Sequence, residues 1–381
     1  MKKKMTRTFL TLLLALALTL GLAACSSSST ETTAAETEEA EATETAAETQ
    51  EETTAAETED TSSAAEAAET QGNTASEGTE INIAVLAGPT GSGAAWRMEA
   101  NDAGETTNTY NFTVSSANDD VVAGLTSGEF DIAAVATNVA ANLYNKTSGA
   151  VQICALNTYG VLYILENGES IGSMADLAGK TIYATGQGAN PEYVLEYLLE
   201  QNGLTWSTDG SEADVQIEFM DSEMLSTGMA SGEYEVCMLP VPAVTSVLMQ
   251  NADVRAALDL TEEWNNVTDE GQLTMGCIVV RSEFAAENPE AVAAFLEEYA
   301  SSIEAVQSDV EHAAELCETY GIVAKAAVAA QAIPDCNLCC VTGEEIRTTI
   351  EPYYNVLYTA NADSIGGALP GDDFYFVAAA E

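Results

Sequence analysis

Apolar and polar positions alternate through INIAVL, residues 81–86. They give way to the glycine-rich run Gly88-Pro89-Thr90-Gly91-Ser92-Gly93 and then to helical spacing. A period of two changing to 3.6 across a loop predicts a strand, a tight turn and a helix. The same order returns in KTIYATGQGANPEYVLEYLLEQNG, with Gly186-Gln187-Gly188-Ala189-Asn190 as the loop. In this second helix Asn190 is expected as the N-cap and Pro191 at the first position. Val194, Leu195, Leu198 and Leu199 form the apolar stripe, and Gly203 closes it.

Each of these units is followed by one recurring phrase. SGEFDIAAVATNVA starts at Ser127 and SGEYEVCMLPVPA at Ser231, 104 positions later. Each half therefore reads strand, glycine loop, helix, strand, helix, SGE turn, strand. The last strands end at Thr137-Asn138 and at Pro240-Val241-Pro242. Alternating strands and helices predict an α/β architecture with mixed, mostly parallel sheets, whose ligands gather at the carboxyl ends of the strands. Two facing lobes would present four such loops across one cleft. Further on, LTMGCIVV reads as a strand returning from the second half to the first. A long helix follows, capped by Asn288 and started by Pro289, with Val292, Phe295, Leu296, Tyr299, Ile303 and Val306 as its core stripe.

Outside this pattern lies the front of the chain. Lys2, Lys3, Lys4 and Arg7 precede an apolar run from Phe9 to Ala24 of 16 residues, short of the roughly 20 that span a bilayer. This is the layout of a secretory signal. Its end, Leu22-Ala23-Ala24-Cys25, resembles the lipobox of bacterial lipoproteins, which implies removal of residues 1–24 and lipidation of Cys25. Residues 25–80 then hold Glu, Thr, Ala and Ser with no aromatic and no base. Such a segment cannot bury a core, and it reads as a disordered acidic tether reaching on the order of 40 Å.

Composition narrows the function of the remainder. The whole chain carries a formal charge of −50, and residues 81–381 keep 45 acids against seven bases, or −38. Nucleic acid and anionic membrane need a basic face, so both are poor partners. Of eight cysteines, seven follow Cys25, an odd number that does not read as a disulfide framework. CNLCC, residues 336–340, reads as a buried or disulfide-linked vicinal pair rather than a metal site: no second C-x-x-C exists and the single histidine, His312, lies in a separate helical stretch. Neither glycine loop fits a phosphate motif. Gly88–Gly93 continues Ala94-Ala95 where a P-loop needs Lys and Ser or Thr, and Gly186-x-Gly188-x-x-Pro191 lacks the third glycine of a dinucleotide fingerprint. What they offer is a pair of helix N-termini whose backbone N–H groups are expected to face a ligand.

Taken together, DLAGKTIYATGQGANPEYVLEYLLEQNGL, ENPEAVAAFLEEY, HAAELCETYGI and SIGGALPGDDFYF resemble the solute-binding proteins of bacterial ABC importers. The likeness is to the group of nitrate, sulfonate, taurine and thiamine-precursor binders, and it extends over residues 81–381. The resemblance implies a two-lobed type II periplasmic-binding-protein fold with a hinge. Lobe 1 is then 81–170 plus 277–381 and lobe 2 is 171–276, with crossings near 166–178 and 270–277. It also implies ligand contacts at Thr90, Gly91, Ser92, Thr137, Asn138, Tyr159, Gln187, Gly188, Asn190, Pro240 and Pro242. Trp96 and Tyr183 are added as aromatics near these loops.

The function so implied is a monomeric lipid-anchored receptor on the extracytoplasmic face of the membrane. It would pass a small organic solute to an ABC permease, without a metal, a cofactor or catalysis. The alternative is a thiamine-pyrimidine-synthase-like enzyme on the same scaffold, which CNLCC would echo. Little Arg or Lys lies near the loops, so a neutral or singly charged solute, heteroaromatic rather than inorganic, is expected; Arg97 is the one base adjacent to them in sequence.

Overall fold

The chain builds most of one sheet, leaves it to build a second, and returns. A computed structural model describes residues 78–268 and 271–377; Cys25 and the expected tether as far as residue 77 lie outside them, while Glu80, expected as the tether's last residue, instead opens the first strand. The first sheet takes β1 (Glu80–Leu86), β2 (Thr109–Ser115), β3 (Ile132–Ala136) and β4 (Val151–Thr158). The second takes β5 (Leu162–Asn167), β6 (Thr181–Ala184), β7 (Trp206–Ser207), β8 (Val215–Phe219), β9 (Val236–Pro240) and β10 (Val254–Asp259). The chain comes back with β11 (Gly276–Arg281) and β12 (Leu338–Val341). Strand orders are β12-β4-β11-β3-β1-β2 and β10-β5-β9-β6-β8-β7.

Thirteen α-helices cover these sheets within the described residues. Between strands of the first sheet run α1 (Pro89–Ser92), α2 (Ala95–Asp102), α3 (Asn118–Ser127) and α4 (Thr137–Thr147). In the second are α5 (Asn190–Gln201), α6 (Ser222–Ser231), α7 (Ala243–Gln250) and α8 (Leu260–Val267). After β11 come α9 (Ser282–Glu287), α10 (Pro289–Ser308), α11 (Val310–Thr319), α12 (Ala326–Ala332) and α13 (Glu344–Ala360). The expected stripe of α10, from Val292 to Val306, is buried throughout, because its spacing keeps those positions on one face.

The two sheets repeat one plan. β1 pairs in parallel with β2 and β3, as β6 does with β8 and β9. An antiparallel strand from the other end of the chain then joins each: β11 beside β3, β5 beside β9. Half of the pairings are thus antiparallel, so the sheets are mixed rather than mostly parallel; the strands that connect the halves run against the rest.

The duplicated SGE phrase is a duplicated helix stop. Gly128 and Gly232 end α3 and α6 at φ 80° and 78°, a left-handed conformation that glycine adopts without a Cβ penalty. The next amide closes the cap in both: Glu129 N–H donates to the Gly124 carbonyl and Glu233 N–H to the Gly228 carbonyl, each at 2.9 Å. The following aromatics, Phe130 and Tyr234, lie over Gly124 and Gly228, where a Cβ would collide with the ring.

The first crossing differs from expectation. β5 already pairs with β9 and β10, so the chain leaves the first sheet at Tyr159–Val161 and not near 166–178, and residues 162–170 go with the second sheet. The apolar run VLYILEN disguised the break, which is Gly160: a Cβ there would strike Thr261 of the other crossing. The chain returns through α8 to Gly276, and Met275 N–H donates to the Thr158 carbonyl at 2.9 Å, tying the two crossings together.

Candidate functional site

β1, β3, β6 and β9 all end facing the junction of the two lobes, and the loops after them carry most of the expected contacts. Their backbone donors are largely occupied. Gly88 N–H donates to the Ile322 carbonyl at 3.0 Å, and the N–H groups of Gly91 and Ser92 return to the Gly88 carbonyl. The Ser92 hydroxyl does the same at 2.9 Å. α1 is only four residues long, and Gly91 is pressed against the Leu86 carbonyl. At the second loop, Gly188 N–H donates to the Glu192 carboxylate and Ala189 N–H to the Gly186 carbonyl. The pair of free helix N-termini expected from the sequence is therefore not formed: a glycine turn that is tight enough to start a helix consumes its own donors.

Asn190 does not cap α5; Ala189 takes that position. Its side chain is instead fully buried where the lobes meet. Nδ2 donates to Thr137 Oγ1 at 2.8 Å and to the Met275 carbonyl at 2.7 Å. Oδ1 accepts from the Tyr353 hydroxyl at 2.9 Å and from Asn138 N–H at 3.3 Å. Thr137 and Asn138 begin α4 in the first lobe and α5 lies in the second, so these bonds join lobe to lobe. Asn138 Nδ2 adds bonds to the carbonyls of Gly188 and Ser364, both at 3.3 Å. Three buried side-chain atoms around this contact, Asn138 Oδ1, Thr274 Oγ1 and Ser364 Oγ, have no hydrogen-bond partner among the described residues.

The opposite side of the junction is less polar. Pro242, after a cis Val241–Pro242 bond, stands beside Gly88 of the other lobe. Beside that loop opens a cavity of about 360 Å³, lined from the second lobe by Tyr163, Val241, Val244 and Leu248 and from the first by Gln331 and Asp335. A neighbouring cavity of about 400 Å³ is lined by Tyr159, Val310, Pro334 and Asn337. The Tyr159 phenol is pushed up to about 12 by burial and the nearby Cys339.

Trp96 and Arg97 are held away from the junction by partners of their own. Trp96 packs edge-on against His312, ring centres 4.8 Å apart, on the α2–α11 side of the first lobe. Tyr183 packs against Tyr234 with ring centres 4.2 Å apart and planes tilted by 35°. Gln187 is exposed. Arg97 is buried and bound to α10, donating to the Glu298 carbonyl at 3.0 Å with the Glu298 carboxylate 3.4 Å away; being next to a loop in sequence placed it one helical turn away from the ligand side. Lys180, Arg255, Arg281 and Arg347 are likewise paired with acids.

Chemistry at the junction is correspondingly quiet. All seven described cysteines are free thiols, and burial pushes Cys336 and Cys339 up to about 12 and Cys340 to about 11, which leaves them un-ionised and poor nucleophiles. Among the described residues no cluster of three or more His, Cys, Asp or Glu is placed to hold a metal ion. No described helix is long and apolar enough to cross a membrane. Sequence reasoning missed Tyr353, Tyr354, Thr274, Ser364 and Asp335; the doubled tyrosine of EPYYNVL was the one available signal.

Residues 146–313 match the model of the NMT1/THI5-like family. No curated protein sequence matches significantly. Among solved structures, an ABC transporter protein from Parabacteroides distasonis superposes with a TM-score of 0.64 at 20% identity, covering 78% of this chain and 98% of the other. The periplasmic aliphatic sulphonate binding protein SsuA from Escherichia coli gives 0.60 at 14%, covering 77% and 90%. The periplasmic nitrate-binding protein NrtA from Synechocystis PCC 6803 gives 0.52 at 13%, covering 78% and 84%. The chain has the two-lobed type II periplasmic-binding-protein fold and is similar, by that fold and by the family matched over residues 146–313, to the substrate-binding proteins of ABC transporters in the sulfonate and nitrate group.

Proposed function

We propose that the chain is a solute receptor of an ABC importer: a monomer held to the extracytoplasmic face of the membrane by lipid on Cys25 and by its acidic tether. It captures a small organic solute between its lobes, by hinge motion and without covalent chemistry. The observation that supports this best is the direct meeting of strand-end loops from both lobes, Asn138 and Thr137 against Gly188 and Asn190 on one side and Gly88 against Pro242 on the other. A ligand reaching those loops would touch both lobes at once and so favour their closure.

Among the described residues the charged groups near these contacts are acids, Glu192 and Asp335, and five of the seven bases outside the signal region are paired with acids. The remaining two, Lys146 and Lys325, are exposed. This supports a neutral or singly charged organic solute over an inorganic anion, and Tyr159 and Tyr163 are the aromatics available to a ring. A thiamine-pyrimidine-synthase-like enzyme is the second reading, favoured by the CNLCC run. The raised thiols argue against it, as does His312, which bonds to Glu99 on the α2–α11 side.

Native mass spectrometry of the full-length protein, purified without refolding, tests the receptor reading. A co-purified small solute in unaltered form is expected; conversion of an added pyrimidine or pyridoxal compound would favour the enzyme.

A further inference from the structure

Resting on the receptor reading, the cavity beside Pro242 narrows the class of solute. Its walls are apolar: Val241, Val244, Leu248 and the half-exposed Met249 come from the second lobe. Its aromatic is Tyr163, and its one charged lining group is Asp335, which comes from the first lobe. Asp259 and Glu262 of the second lobe also stand near the Tyr163 hydroxyl, and together with burial they raise it.

Among the described residues no positive group pairs with these acids. Arg255 precedes the lining residue Ala256, but alternation along β10 turns it the other way, onto Glu166 at 2.6 Å and the carbonyls of Gly168 and Ile171. Lys325 precedes α12, about 9 Å along the helix axis from Gln331. The cavity thus joins an aromatic face, an aliphatic wall and an uncompensated carboxylate, with one half of the pair on each lobe. Its size, about 360 Å³, lies at the small end of the range of small-molecule sites. A surrounding charge of −38 raises the local concentration of cations and lowers that of anions.

We propose that the cavity between Tyr163 and Asp335 binds an organic ammonium with an apolar or aromatic body, the cation set against the Asp335 carboxylate and the Tyr163 ring. Both lobes then hold the same molecule: Asp335 of the first meets its charge, and Tyr163, Val241, Val244 and Leu248 of the second enclose its charge and body. Closure is favoured only by a solute that has both.

Isothermal titration of the full-length protein in detergent, at constant ionic strength, tests this with three probes of similar size: phenethylammonium, 2-phenylethanol and phenylacetate. Phenethylammonium is expected to bind, the alcohol at least about tenfold more weakly and the carboxylate not at all. Asp335→Asn, at an exposed position and so not a threat to folding, should bring the ammonium and the alcohol to equal affinity. Tyr163→Leu should weaken the ammonium more than the alcohol. Equal binding of alcohol and ammonium to the native protein, no binding of the ammonium, or an Asp335→Asn variant that discriminates as before would overturn the proposal. Failure of the receptor reading is separable: there, no solute co-purifies and no compound changes the radius of gyration in small-angle scattering.

Discussion

Tyr353 donates its hydroxyl to Asn190 Oδ1 at 2.9 Å, and Tyr354, next in the chain, donates to the Thr137 carbonyl at 2.8 Å. One helix, α13, thereby holds α5 of the second lobe with one residue and α4 of the first with the next. Both tyrosines are fully buried, and Trp264 of the second crossing packs against Tyr353 with ring centres 5.5 Å apart. Tyr353→Phe removes one buried bond and should lower unfolding free energy by about 1 kcal/mol. Asn190→Ala strands Tyr353, Thr137 and the Met275 carbonyl together and should cost about 3 kcal/mol. Urea denaturation measures both. Equal losses for the two variants would mean that Asn190 is not the centre of the contact.

How much of this was legible in the sequence depends on range. SGEFD and SGEYE announced two equivalent units because a left-handed cap and the aromatic over it are set by residues within seven positions of each other. Asn190 was misread as a cap because its true partners, Thr137, Met275 and Tyr353, lie 53, 85 and 163 positions away, and local grammar carries no information at that distance. Arg97 and Trp96 were misplaced for the converse reason: adjacency to a loop along the chain is not adjacency to its ligand face once a helix turns. The crossing at Gly160 was hidden because a strand that changes sheet keeps the same apolar period on both sides.

The repeat makes a paired prediction. Gly124→Ala and Gly228→Ala should each force the overlying ring, Phe130 or Tyr234, to move, with a loss of about 1–3 kcal/mol. Gly128→Ala and Gly232→Ala, strained only in backbone, should each cost about 1 kcal/mol. Thermal melts of the four variants would reveal whether the halves respond alike. A clear loss in one half and none in the other would show that the phrase is conserved in form but not in mechanical role.

Glu166 is almost fully buried at 1% exposure. Burial alone would raise its carboxyl, but the Ser170 hydroxyl, the amides of Ser170 and Ile171 and the Arg255 guanidinium outweigh it and hold it at about 2. A carboxyl depressed on folding contributes stability above its ordinary value of 4.5, and that contribution is lost as pH falls from there towards 2. Arg255→Met leaves a buried carboxylate short of one partner and should cost about 2–3 kcal/mol at pH 7, with a smaller difference from the native protein at pH 3. Chemical denaturation at the two pH values checks this; a difference that grows in acid contradicts the assignment.

Glu196, half-buried on α5, is shifted the other way, to about 7, by burial and then by Glu192 one turn earlier. Its protonated form is the one the fold prefers. The stability it contributes is complete below about 4.5 and is lost as pH rises through about 7. Glu196→Gln keeps the neutral shape at every pH and should stabilise the protein by about 1–2 kcal/mol at pH 8 while changing little at pH 4. Glu166 and Glu196 thus act in opposite directions, Glu166 favouring the fold as pH rises above about 2 and Glu196 as it falls below about 7. A melting profile of Glu196→Gln parallel to the native one from pH 4 to 8 would remove Glu196 as the cause.

The relatives' names invite one further comparison, between this chain and binders of sulfonate and nitrate. An oxyanion in a closed cleft needs either a full positive charge or several free N–H donors. Here Arg97 is held by Glu298, Arg255 by Glu166 and Arg281 by Asp131. The donors of the Gly88 and Gly188 turns go to the Ile322 carbonyl and to Glu192. An anion entering would also approach a domain at −38, against a repulsion that salt screens but does not reverse. In a thermal-shift panel at fixed ionic strength, nitrate, sulfate and taurine should therefore leave the melting temperature unchanged, while a ring-bearing ammonium raises it. Should taurine or nitrate give the largest specific shift, either a paired arginine releases its carboxylate on binding or the glycine turns give up their N–H partners. Arg97→Gln and Arg255→Gln, examined in the same panel, would then identify which.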